Sequence, residues 1–275
     1  LIVAALLTGH TSTVFKTIRF AYFFPAPGRY LKLYGAFAFL RVLYYVLPFN
    51  SGELVYLAVL KKYKFSPGIT ETAPTWLFIR LTDIIALSCW IIFILFFSPL
   101  TGTLFGKLYS VRWIIIGFSA ALIVFILSYR FWVPKIPTGK VNHWISSRLQ
   151  QFKSGFNRTF GVKNLLKTIG LSIVVWCMLI LFDTFTLFAF NIPLNFLECF
   201  LASIAVYSIS LLPINAPFNL GTGEALWAGV LVLSGIDSTL AVSIALSIRL
   251  VNIIVLLAEG LIGSILFLQV EREGT

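Results

Sequence analysis

The chain has 275 residues, of which 59% are apolar and only 11% charged, with a mean hydropathy of +0.96. That composition excludes an ordinary soluble domain and makes lipid the solvent. A net charge of +11 would point to nucleic acid in a soluble protein; here its placement along the chain is read as a signal of membrane orientation.

A hydrocarbon core of roughly 30 Å takes about 20 helical residues per crossing, which leaves room for one membrane domain over 1–275. In chain order, residues 1–15 are an apolar stretch that starts without methionine, so a further helix upstream is expected. Residues 16–32 carry Lys16, Arg19, Arg29 and Lys32 and read as a polar segment on the inner side. Two short apolar runs, 33–47 and 51–60, flank Pro48-Phe-Asn-Ser-Gly-Glu53, and the basic run Lys61-Lys62-Tyr-Lys64 follows. Long helices are expected over 75–97 and 111–131, joined by an outer loop 98–110.

The longest polar stretch, 132–165, is strongly basic. Within it Val141, Ile145, Leu149, Phe152, Phe156 and Phe160 recur at steps of three and four, the pattern of an amphipathic helix. Such a helix lies either on the inner leaflet or on the underside of the protein itself. A long helix over 166–190 comes next. Short runs 197–212 and 222–236 flank Pro217-Phe-Asn-Leu-Gly-Thr-Gly-Glu224, and a last long helix covers 239–268.

The short runs are the informative ones. A 15-residue helix rises about 22 Å at 1.5 Å per residue, too little to span comfortably. Each pair therefore reads as a re-entrant hairpin. By the positive-inside rule the basic stretch 132–165 faces the cytoplasm. Sixteen of the 21 Lys and Arg then fall inside, counting Arg272, while Lys107 and Arg112 fall outside and three lie within apolar segments.

The two Pro-Phe-Asn motifs lie 169 residues apart, and so do Ile79-Arg80-Leu81-Thr82-Asp83 and Ile248-Arg249-Leu250-Val251-Asn252 in the helices that follow. Counting crossings makes helix 75–97 run outward and helix 239–268 inward, so the repeats, about 31–97 and 196–268, are inverted. The expected fold is an all-α, polytopic membrane bundle with inverted-topology repeats, each a re-entrant hairpin followed by a long transmembrane helix.

At the hairpin tips Asn50 is placed to cap the helix of Glu53, and Thr222 that of Glu224. Gly52, Gly221 and Gly223 permit close approach, and Asn219 repeats Asn50. A charge against lipid costs at least about 2.5 to 3.5 kcal/mol, so Arg41, Arg80, Asp83, Asp183, Arg249 and Glu259, with Asn252, should face the interior. Arg80 and Arg249 then bind or neutralise an anionic headgroup, while Glu53, Glu224 and Asp83 balance those arginines, receive a cationic group or carry a proton. The competing readings are static ion pairs holding the repeats in register and plain helix capping.

Pro48, Gly52-Glu53, Lys61-Lys62, Arg80-Leu-Thr-Asp83 and Pro217 to Glu224 together resemble the membrane domain of lysylphosphatidylglycerol synthases and flippases, over roughly 1–268. The resemblance implies translocation of a phospholipid or lipid-linked headgroup across the cytoplasmic membrane. No soluble aminoacyl-transferase domain is read in the sequence, so synthesis of the lipid is not assigned to the chain and it is expected not to be an enzyme. Asn50-Ser51 departs from it, since relatives often carry a basic residue there. The alternative is the membrane module of a lipid-modifying enzyme or glycosyltransferase partner. No metal or cofactor is expected, and Cys89, Cys177 and Cys199 read as small buried hydrophobes. Expected partners are the lipid substrate and anionic inner-leaflet lipids along the basic loop, with no nucleic acid and homo-oligomerisation left open. The C-terminus is expected to be cytoplasmic.

Overall fold

The computed structural model describes residues 1–25, 30–47, 52–97, 103–128, 143–210, 216 and 220–272. Among them all regular structure is helical: α1 (Ile2–Phe23), α2 (Tyr30–Val46), α3 (Gly52–Lys62), α4 (Ile69–Phe97), α5 (Thr103–Leu127), α6 (His143–Thr159), α7 (Val162–Ala189), α8 (Phe196–Ser210), α9 (Thr222–Leu233) and α10 (Ser238–Arg272). Ile69–Ile94, Val162–Ala189 and Ser238–Leu266 are long and apolar enough to cross a membrane. The chain is a multi-pass membrane protein.

Local chemistry sets several of the boundaries. Asn195 and Glu198 form a reciprocal capping box at the start of α8: the Glu198 amide donates to Asn195 Oδ1 at 3.0 Å and the Asn195 amide to Glu198 Oε2 at 2.8 Å. Asp237 caps α10 by accepting from the Thr239 and Leu240 amides at 2.9 and 3.2 Å. Lys61 and Lys62 close α3 at the negative end of its dipole. α9 begins differently from the expectation: Gly221, at φ 75°, holds the cap position and no side chain caps it, so Thr222 is the first helical residue rather than the cap. Only glycine adopts that φ at little cost.

Three expected boundaries move, and with them several charges. α1 continues to Phe23 instead of ending at 15, so Lys16 and Arg19 belong to the helix and not to an inner-side polar segment. Two of the sixteen inner-side cations thus leave that side. α4 starts at Ile69, six residues early, with Pro74 near its N-terminus where few backbone bonds are lost. α5 starts at Thr103, so Lys107 and Arg112 are helical rather than part of, or next to, an outer loop 98–110.

α1 lies against α7, with contacts that pair Gly9 with Phe182, Arg19 with Ser172 and Tyr22 with Asn164. Those pairs run in opposite senses along the two helices, so the packing is antiparallel. α2 and α10 also pack antiparallel: Gly263 meets Ala38, Gly260 meets Val42, and Arg249 lies by Tyr45. A Cβ at Gly263 would stand 2.7 Å from the Ala38 Cβ and 2.8 Å from the Gly35 carbonyl, so the seam closes only on glycine.

α6 settles on the N-terminal end of α4. A Cβ at Gly155 would collide with the Glu71 carbonyl oxygen, Thr75 and Thr159 share a 2.6 Å hydroxyl hydrogen bond, and Arg158 pairs with Glu71 at 2.8 Å. Phe156 and Phe160, from the apolar stripe, are buried with Phe20, Phe23, Phe24 and Phe78. Of the two placements open to this helix, the apolar face has taken the protein's underside. A second cluster joins α4, α7 and α8 around Leu87, Ile180 and Leu201, and a third joins α8, α9 and α10 around Val206, Trp227 and Ile248. Outward, α10 shows Leu250, Ile254, Leu257 and Leu261 at 59 to 65% exposure, an apolar stripe suited to lipid. Cys199 is buried, as a small hydrophobe would be, whereas Cys89 is exposed.

Candidate functional site

Between these clusters lies a cavity of about 390 Å³ whose wall draws on α1, α2, α3, α4, α7, α8, α9 and α10. Its apolar part combines the aromatics Phe20, Phe37, Trp76, Trp176 and Trp227 with aliphatic residues such as Leu40, Ile79 and Leu179. Five cationic side chains also line it: Lys16, Arg19, Arg41, Arg80 and Arg249. Three carboxylates, Asp83, Asp183 and Glu224, face them, and a fourth, Glu259, is 4% exposed and reaches the wall through Arg41.

The charges are arranged as bridges between helices. Asp83 receives Arg19, whose second amino group donates at 3.4 Å, and Arg80 at 3.9 Å, which ties α1 to α4. Arg19 also donates to Ser172 Oγ at 2.6 Å and so reaches α7. Arg41 pairs with Glu259 and donates to Thr13 Oγ1 at 3.3 Å, joining α2, α10 and α1. Arg249 pairs with Glu224 at 2.8 Å, joining α10 to α9. Two arginines stack as well, Arg80 over Trp76 at 5.1 Å and Arg249 over Tyr45 at 5.6 Å.

Of the residues singled out in the sequence, Arg41, Arg80, Asp83, Asp183, Gly223, Glu224, Arg249 and Asn252 line this one cavity. Arg80 and Asp83 are the twelfth and fifteenth residues of α4, and Arg249 and Asn252 are the twelfth and fifteenth of α10. Both pairs stand near the middle of the apolar stretches Ile69–Ile94 and Ser238–Leu266. Asp183 is 3% exposed with Tyr207 and Asn252 beside it, and its Oδ1 finds no hydrogen-bond partner among the described residues. Gly221 is exposed at the start of α9, away from the wall. Asn50 and Asn219 lie outside the described residues, and Gly52 and Glu53 are described in backbone alone, so the tip motifs contribute Gly223 and Glu224 to this geometry.

Sequence reasoning missed Lys16, Arg19, Thr13, Tyr45, Tyr56 and Tyr207, all of which line the cavity. For α1 there was a signal. Thr13, Lys16 and Arg19 follow at steps of three, which puts them on one helical face, and Gly9 precedes them at the seam with α7. Ending the helix at the first cation hid that face.

Comparison with curated proteins and with solved structures finds no match to the chain. The model of the lysylphosphatidylglycerol synthase TM region matches residues 1–260, nearly the whole length and the whole of the cavity wall. Its span agrees with the resemblance carried by Arg80 to Asp83 and by Gly223-Glu224. The chain is therefore a membrane module that belongs to the lysylphosphatidylglycerol synthase TM region family.

Proposed function

We propose that this module moves a phospholipid or lipid-linked headgroup across the cytoplasmic membrane, the headgroup passing through the polar cavity while its acyl chains remain in lipid. The observation that carries the reading is the charge in the wall: among the described residues five cations and four carboxylates gather in one place, within helices whose outer faces are apolar. So many desolvated charges are costly, and a purely structural core of equal volume would do without them. Arg80 and Arg249 neutralise the headgroup phosphate in turn, and Asp83 and Glu224 hold those arginines between encounters.

An inverted relation between α1–α4 and α7–α10 supports a path open from either face in turn. α10 begins 169 residues after α4, the corresponding helices α1 and α7 pack antiparallel, and the Arg80 and Arg249 positions coincide. The short helices α2, α3, α8 and α9, of 17, 11, 15 and 12 residues, support hairpins that turn back inside the membrane. On this reading the basic stretch that carries α6 meets the anionic inner leaflet.

The test is reconstitution in liposomes with labelled phosphatidylglycerol. The wild-type chain is expected to exchange label between leaflets, and Arg80→Ala with Arg249→Ala to slow exchange at least tenfold. Undiminished exchange in the double variant would remove these arginines from the path. A lipid product formed in place of exchange would favour the membrane module of a lipid-modifying enzyme or glycosyltransferase partner.

A further inference from the structure

We infer that Lys16 is the resting anion-binding group of the cavity, a site for a phosphate-bearing headgroup separate from the Arg80 and Arg249 positions. The inference rests on the reading of the cavity as a headgroup path. Lys16 projects from the face of α1 that also carries Thr13 and Arg19, and it lines the cavity wall half-buried. Its neighbours divide into two groups. Arg19 and Arg41 repel it, and each is already held by a carboxylate, Arg19 by Asp83 and Arg41 by Glu259. Asp83 and Glu259 attract it, yet Lys16 itself makes no ion pair or hydrogen bond among the described residues.

Charge balance makes this cluster incomplete. Lys16, Arg19, Arg41 and Arg80 stand against Asp83, Asp183 and Glu259, four cations to three carboxylates, inside a bundle whose surroundings are lipid and apolar side chains. An uncompensated ammonium there is costly, and a monoanionic phosphodiester removes the imbalance while accepting the donors that Lys16 presents. Arg249 is held by Glu224 at 2.8 Å, outside this cluster. A phosphodiester entering near α1 is thus met first by Lys16 and passed toward the arginines of α4 and α10. The chemistry required is a phosphate oxyanion, whether carried by a lipid headgroup or free.

Thermal unfolding of the purified full-length chain in detergent tests this with three soluble probes: dihexanoylphosphatidylglycerol, inorganic phosphate and, as the uncharged control, dihexanoylglycerol. The melting temperature of the wild type is expected to rise with the phospholipid and not with the control. Lys16→Met should weaken that response about tenfold, the loss of one charge-assisted contact, and Lys16→Arg should keep it. Without any probe Lys16→Met should melt no lower than the wild type, because it deletes an uncompensated charge; a clear drop would mean that Lys16 is held in an ion pair and would overturn the inference. So would a wild type indifferent to both phosphate-bearing probes, or a Lys16→Met protein that responds like the wild type. An equal response to inorganic phosphate keeps the anion site and makes free phosphate its ligand, whereas a response to the phospholipid alone makes the ligand a headgroup. A Lys16-dependent response in a protein that exchanges no lipid in liposomes keeps this site and removes the transport reading instead.

Discussion

Asp83 carries more of the site than its single charge implies. It is 2% exposed and holds Arg19 and Arg80 at once, and Arg19 continues to Ser172, so one carboxylate fastens α1, α4 and α7. Removing one partner of a buried pair leaves the other charge desolvated, at about 3 to 5 kcal/mol. Asp83→Asn is therefore expected to lower stability by about that much in thermal or denaturant unfolding in detergent. The companion Arg19→Met with Asp83→Leu should recover most of the loss, since the pair is then replaced by apolar volume. If the single and double variants are equally damaged, Asp83 acts through Arg80 or through packing and the Arg19 bridge is secondary. The pairing of Arg80 with Asp83 was legible from their spacing on one helical face, but Arg19 was not, because its partner lies 64 residues away on another element.

Helix α6 shows how an amphipathic pattern finds its place. The stripe of Phe152, Phe156 and Phe160 was evident in the sequence, whereas its docking partner was not, since lipid and a protein surface satisfy an apolar face equally well. Gly155 decides between them: with no Cβ it lets α6 approach until its backbone meets the Glu71 carbonyl and lies 3.1 Å from Pro74 Cγ, measured from where a Cβ would be. Gly155→Val should lift α6 off α4 and cost about 1 to 3 kcal/mol. The Arg158 to Glu71 pair and the Thr75 to Thr159 hydrogen bond go with it. Faster proteolysis or hydrogen exchange confined to 143–159 would register the change, and a variant with wild-type protection there would show that the close approach is dispensable.

At the scale of the whole molecule, the proposed inverted-repeat reading makes α2 with α10 and α8 with α4, and α4 with α7 and α10 with α1, corresponding pairs, and their contacts are of unequal extent. α2 packs closely along α10, while the corresponding pair α8 and α4 touch only briefly; α4 lies along α7, while α10 and α1 barely meet. A transporter built from inverted repeats exchanges such tight and loose seams when it turns from one face to the other. A disulfide across the tight seam should therefore stop lipid exchange. The Cβ position of Gly260 lies 3.7 Å from that of Val42, within the range a disulfide spans. In a chain with Cys89, Cys177 and Cys199 changed to Ala, Val42→Cys with Gly260→Cys should halt labelled-lipid exchange on oxidation and restore it on reduction. Exchange that continues under full cross-linking would mean that α2 and α10 move as one body.

What the sequence determined by itself was whatever depends on short range and on solvent: an all-helical membrane chain, the four short helices, and the Arg80 and Arg249 positions in matching helices. Hydropathy and spacing report these directly, because burial in lipid acts on each segment independently of its neighbours. Only the tertiary structure decided where α1 ends and which charges share a cavity. A lysine or arginine at the end of an apolar run looks the same whether water, an inner leaflet or a carboxylate on a distant helix compensates it. Asp83, Glu259 and Ser172 lie between 64 and 246 residues from their α1 partners. The energy that draws Arg19 into the bundle therefore exists only once the helices have packed.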